Sequence, residues 1–164
     1  MKYMNQRTSF ENIECSVAQT LNIIGEWWTP LILKDIFFGI KRFNTIQSHL
    51  DISRKVLSNR LDTLMKNNII YKKIYQKVPP LYEYELTQAG EELFPLIISL
   101  MKWGDKWVFD NKDIPIHLLN RKTLKEISPV LIDANTKKEI VFGNVVTANK
   151  GEWDAMIQVL QKKA

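Results

Sequence analysis

The chain is poor in the residues that build cofactor and metal chemistry. It has a single cysteine, Cys15, so it cannot close an intrachain disulfide or supply a cysteine cluster. Two separated histidines, His49 and His117, are too few for an ordinary zinc centre. No apolar run nears the ~18 residues of a membrane span, the richest being 93–101, and the opening MKYMNQRTSFENIEC has no apolar signal core. A cytoplasmic protein with no membrane association and nothing to cleave is expected. The pairings an enzyme needs are missing too: no nucleophile with a base, no paired carboxylates, no phosphate-cradling glycine loop. Neither an enzyme nor a bound cofactor is expected.

What the chain does have is an apolar fraction of 45% over 164 residues, enough to bury a core, and a net charge of +5. The charge is unevenly placed. Residues 53–77 hold seven cations (Arg54, Lys55, Arg60, Lys66, Lys72, Lys73 and Lys77) against one acid, Asp62, and the rest of the chain is net −1. A cationic patch on an otherwise neutral protein attracts a polyanion, with nucleic acid the first candidate and a merely solvated lysine-rich face the alternative.

The apolar spacing supplies the frame. Val17, Leu21 and Ile24 predict a short helix with one buried stripe, stopped at Gly25. Thr29-Pro30 reads as an N-cap with proline at the first helical position, followed by a nearly wholly apolar helix ending at Gly39. Phe43, Ile46 and Leu50 give a third helix. Ser53 then caps a fourth, over 54–67, with Leu57, Leu61, Leu64 and Met65 inward and Lys55, Asn59, Asp62 and Lys66 outward. That is a helix-turn-helix, and the runs 69–75 and 81–86 predict a hairpin wing beside it.

From Thr87 a long helix is expected, kinked at Pro95, with an apolar set from Leu93 to Val108 too broad for one buried stripe. Its surplus face is the candidate surface for a homodimer, with packing under the remaining chain as the alternative. Beyond residue 111 the segments 114–118, 129–133 and 139–142 suggest a small β appendage. Trp153, Met156, Ile157 and Leu160 have the spacing of a terminal amphipathic helix. No internal repeat is apparent. The expected fold is therefore α+β, mainly α with a small β part: a winged helix-turn-helix domain over 1–110 and an extension over 111–164.

If the partner is double-stranded DNA, the polar face from Ser53 has suitable readers. Lys55 and Asn59 would approach base edges in the major groove, and Ser53, Arg54, Ser58 and Arg60 would divide between bases and phosphates. Lys72, Lys73 and Lys77 on the wing would reach the backbone or the neighbouring minor groove. One recognition helix reads few base pairs, which is why a two-fold dimer is expected. A small apolar or aromatic effector is a further candidate partner, with Trp27, Trp28, Tyr82, Trp103 and Trp107 as stacking surfaces. A winged helix used only for protein contacts is the competing reading.

The strings CSVAQTL at 15–21, IGEWWT at 24–29, LILKDIFFG at 31–39, RF at 42–43, IS at 52–53, LSNRL at 57–61, YEYELT at 82–87 and WGDKW at 103–107 resemble, in order, the HxlR-type regulators of the MarR-like winged-helix group. The resemblance implies a dimeric bacterial DNA-binding regulator responsive to a ligand or to stress, and some relatives are similar to thiol-stress sensors using the position of Cys15. Residues 114–144, including SPVLID at 128–133, also look like the extension of longer members. Two departures stand out. Ser16 replaces the proline that commonly follows the cysteine, and the turn before Ile52-Ser53 is one residue shorter than in many relatives.

Overall fold

The structure, a computed structural model, describes residues 9–149 together with Glu152, Trp153 and Ile157. The chain divides into two compact units, Met1–Asp113 and Ile114–Ala164. Among the described residues the elements run α1 (Ser16–Ile24), α2 (Trp28–Phe37), α3 (Phe43–Leu50), α4 (Arg54–Lys66), β1 (Ile70–Gln76), β2 (Leu81–Leu86), α5 (Gln88–Glu91) and α6 (Phe94–Trp107). This is the winged helix-turn-helix arrangement that the apolar spacing predicts.

The core is built around α2, whose Ile32, Leu33 and Ile36 are fully buried against Ile46 of α3, Leu57, Leu61 and Leu64 of α4, and Ile97 of α6. Truncating a residue so enclosed to alanine costs about 2–5 kcal/mol. Within this apolar helix one carboxylate is also fully buried. Asp35 meets Lys34 Nζ at 3.0 Å and His49 Nδ1 at 2.8 Å, so a charge from α2 ties down α3.

Several local expectations are corrected. Val17 and Leu21 are 66% and 43% exposed, and only Ile24 of that stripe enters the core. Gly25 does end α1, but at φ −74°, so it needs no left-handed conformation. Thr29 is not the cap of α2: the helix begins at Trp28, Thr29 is buried, and Pro30 occupies the third helical position, where its missing N–H is still among the unsatisfied four. Gly39, at φ +92°, turns the chain after α2 as expected.

The long kinked helix is instead two helices. Thr87 Oγ1 accepts from Gly90 N at 3.1 Å to cap α5, the chain turns at Glu92-Leu93, and α6 starts with Pro95 in its first turn. Proline cannot donate to the preceding turn and crowds its carbonyl, so a restart costs less than a bent continuous helix. Gly90 permits the close approach of α5 to the wing, since a Cβ there would lie 2.2 Å from the Ile69 carbonyl oxygen.

In the second unit the β appendage is two hairpin turns held by isolated bridges, Leu119 with Glu126 and Ile132 with Glu139, rather than extended strands. They form an internal repeat that the sequence reading missed. LLNRKTLKEI at 118–127 and LIDANTKKEI at 131–140 share five of ten residues. Their hydrogen bonds correspond one to one: Asn120 N donates to Lys125 O as Asp133 N does to Lys138 O, and Ile127 N to Leu118 O as Ile140 N does to Leu131 O. The Asn120 and Asp133 side chains accept the backbone N–H groups two and three residues on. Leu124 and Lys137 both take positive φ. Of the predicted terminal helix, Glu152, Trp153 and Ile157 are helical, with Glu152 N donating to Asn149 Oδ1 at 2.9 Å, whereas Met156 and Leu160 lie outside the described residues.

Candidate nucleic-acid interface

The recognition face follows from how α4 is seated. Ile52, 4% exposed, pins the turn, and Ser53 accepts from Val56 N at 3.3 Å to start the helix. With Leu57, Leu61 and Leu64 turned into the core, helical geometry places Lys55, Asn59, Asp62 and Lys66 outward, and all four are exposed. Ser53 and Arg54 are exposed at its N-terminus, where unsatisfied N–H groups favour phosphate, and Ser58 is half-buried on the flank.

Arg60 stands apart from the others. Its side chain is only 20% exposed, and its guanidinium meets Glu26 of the α1–α2 connection at 3.3 Å. The fold gives it an intramolecular partner, because its position on α4 turns it toward that connection.

The wing is an antiparallel pair in which Lys72 faces Tyr84 and Lys73 faces Glu83. Period-two alternation sends the two lysines to opposite faces with different company. Lys72 Nζ lies 6.0 Å from the centroid of the Tyr84 ring. Lys73 Nζ is 3.4 Å from Glu85 and 3.8 Å from Glu83, and these carboxylates push its pKa up. Glu85 also takes Lys41 Nζ at 2.6 Å, a hydrogen bond that holds its carboxyl below the usual carboxylate range. Tyr84 N donates to Lys41 O at 2.8 Å, so the wing is fastened to the α2–α3 connection by backbone and side chain together. Burial pushes the Tyr84 phenol up. Lys77 is exposed in the hairpin turn.

One cation escaped the sequence reading. Arg42, just before α3, lies 4.0 Å from the centroid of the Tyr75 ring of β1, and Arg54 lies 5.0 Å from that of Phe43. A cation at the mouth of the helix-turn-helix is the signal that marks Arg42.

The five aromatic residues expected to hold an effector are not gathered around one cavity. Trp27, Trp103 and Trp107 are 91%, 61% and 66% exposed, Trp28 packs against the core, and Tyr82 lies on the wing. Cys15 is exposed at the N-cap of α1, and its side chain makes no capping hydrogen bond. Among the described residues there is no cluster of metal-ligating side chains and no helix long and apolar enough to cross a membrane.

Residues 23–112, covering the helix-turn-helix, the wing and α6, match the family model described as HxlR-like helix-turn-helix. The chain belongs to that family. Its similarity to the uncharacterised HTH-type transcriptional regulator Rv3095 of Mycobacterium tuberculosis is 38% identity over 130 residues, 79% of this chain and 82% of that protein. Among solved structures, PA1607 matches with a TM-score of 0.78 at 26% identity, over 87% of this chain and 100% of the other. That share exceeds residues 1–113, so the likeness reaches into the second unit. The redox regulator HypR in its oxidised form matches with a TM-score of 0.52 at 32% identity, over 56% of this chain and 96% of the other. This HxlR-like chain is therefore similar both to regulators with an extension and to shorter ones.

Proposed function

We infer that this chain is a DNA-binding transcriptional regulator, and we propose that it works as a homodimer in the cytoplasm, with α4 in the major groove and the wing along the backbone. The observation that carries this is the outward polar face of α4, fixed from behind by three buried leucines and lying within the 53–77 segment of α4 and wing that holds all of the chain's positive excess. Lys55 and Asn59 are the base readers in this proposal. Ser53, Arg54, Ser58, Lys72 and Lys77 position the backbone, with Lys73 a weaker contributor because two carboxylates already face it.

Pairing is supported by the apolar surface left on α1 and α6. Val17, Leu21 and Leu96 line one apolar cavity of about 260 Å³. From Leu96 the stripe continues through Leu100, Trp103 and Trp107, all exposed, at the alternating spacing of four and three that lets two helices interlock.

The test of base reading is Asn59→Ala. Binding to a specific operator should weaken by about 1–3 kcal/mol while binding to random duplex stays unchanged. Equal losses on both would make Asn59 a backbone contact. The exposed Cys15 thiol, beside the positive end of α1, also makes the protein oxidant-responsive in this proposal. Peroxide should alter DNA affinity in the wild type and not in Cys15→Ser, and identical responses would remove Cys15 from the mechanism.

A further inference from the structure

Asp35 is fully buried in the apolar helix α2, and its two oxygens are unequally satisfied. Oδ2 takes His49 Nδ1 of α3 at 2.8 Å. Oδ1 has Lys34 Nζ beside it at 3.0 Å but accepts no hydrogen bond among the described residues. A buried carboxylate short of donors is strongly disfavoured, so the bond from His49 matters to both helices. An ionised carboxylate only accepts, so Nδ1 carries a hydrogen whether the imidazole is neutral or charged. The charge is decided at Nε2, and the side chain is 46% exposed, so water can deliver that proton. Gaining it turns a neutral hydrogen bond into a charge-assisted one, roughly twice as strong. His49 also stands in the last turn of α3, where the helix dipole favours a cation.

That turn leads directly to the recognition helix. Asp51, at φ +49°, reverses the chain, and its N–H and that of Ile52 are both donated to Gln47 O. Ile52 then enters the core and Ser53 caps α4. The seat of α4 therefore depends on how firmly the end of α3 is held to α2. The elements packed most closely against α3 are α2 and β2. From α2 the charged groups are Asp35 and Lys34. On β2, beside Tyr82 and Tyr84, Glu83 and Glu85 are engaged with Lys73 and Lys41, and neither Glu85, held below 4.5, nor Lys73, held above 10.5, changes charge near neutrality. At the ends of α3, Arg42 stacks on Tyr75, Arg54 on Phe43, and Asp51 is exposed. Among these residue types, histidine is the one whose unperturbed side chain titrates between about pH 5 and 8.

We propose that His49 is a positioning residue that makes duplex binding sensitive to pH: its imidazolium, held by Asp35, fixes the end of α3 and with it the seat of α4, and the neutral ring holds both less firmly. The effect on binding rests on the reading of α4 as the DNA-reading helix; the fixing of α3 does not.

The probe is a duplex selected by the wild-type protein from a random-sequence pool. At constant ionic strength, wild-type affinity should rise about threefold to tenfold from about pH 7.5 to about pH 5.5. His49→Asn keeps an N–H donor where Nδ1 stands but takes up no proton, so its affinity should stay flat over that range. His117→Gln, which alters the chain's other histidine, should keep the wild-type profile. A flat wild type, a sloping His49→Asn or a flat His117→Gln would overturn the effect on binding. Without DNA, nuclear magnetic resonance should show the His49 ring and the backbone amides of Ile52 and Ser53 titrating with one midpoint in the wild type. Amides that ignore the ring would overturn the fixing of α3, and this measurement decides that half even where His49→Asn does not fold. A chain whose amides follow the ring but which binds no duplex upholds the positioning and fails only the DNA reading.

Discussion

Two exposed surfaces of residues 1–113 are made in opposite ways. Around α3, α4 and the wing, cations stand on a rigid backing with few carboxylates to answer them. Along α1 and α6, Val17, Leu21, Leu96, Leu100, Trp103 and Trp107 are exposed apolar residues, with Lys106 Nζ 4.7 Å from the centroid of the Trp107 ring at the end of the stripe. The first surface is incomplete electrostatically, the second hydrophobically, and each defines the partner that would complete it: a polyanion for one, a second apolar face for the other. A regulator that reads a two-fold site needs both, because pairing sets the spacing of two reading helices.

The largest test of this contrast is to spoil the apolar surface and leave the cationic one intact. Leu100→Glu with Trp103→Glu places two charges on the stripe without touching the core residues Ile97 and Ile98. Sedimentation should change from dimer to monomer, and operator affinity should fall by about 10²–10⁴ because two linked half-sites become independent. A variant that still sediments as a dimer would mean that pairing lies elsewhere.

A finer test works inside the cationic surface, between adjacent residues of β1. Among the described residues Lys72 has no carboxylate partner and Lys73 has two. Replacing Lys72 by alanine should lower the slope of log affinity against log salt by about 0.9, the share of one phosphate contact, with similar loss on any sequence. Lys73→Ala should change it clearly less, since Glu83 and Glu85 already compensate that ammonium. Equal changes would show that the carboxylates release Lys73 when DNA binds.

The cationic surface was the more legible of the two in the sequence. The apolar spacing of α4 finds the core it implies, so the polar residues opposite are placed correctly, and Ser53 caps where a serine should. The same logic fails at Val17 and Leu21. Hydropathy spacing says that a face avoids water without saying what covers it, and here the core takes only Ile24. Arg60 and Glu26 lie far apart in sequence, so their pairing was invisible before the fold brought α4 to the α1–α2 connection. Asp35 was hidden by its apolar neighbours, and its partner His49 lies on another helix. The tandem hairpins were missed because half of their residues differ, although the hydrogen bonds that define them do not.

The smallest expected effect concerns how the wing is fastened. Glu85 accepts from Lys41 and stands near Lys73, and its carboxyl is held below its ordinary value of 4.5. The unfolded chain therefore binds this proton more readily than the folded one. The pair's contribution is complete above about pH 4.5 and is lost as the pH falls through the lower folded value. Lys73 is raised from 10.5 by the same contacts, so its part persists below that value and disappears as the pH rises beyond it. The Lys41–Glu85 pair lies near the surface, so its worth is at most about 1 kcal/mol. Glu85→Gln should accordingly lower the melting temperature slightly at neutral pH, and the difference from wild type should close as both are taken below about pH 4.5. A gap that stays constant with pH would mean that Glu85 acts through packing rather than charge.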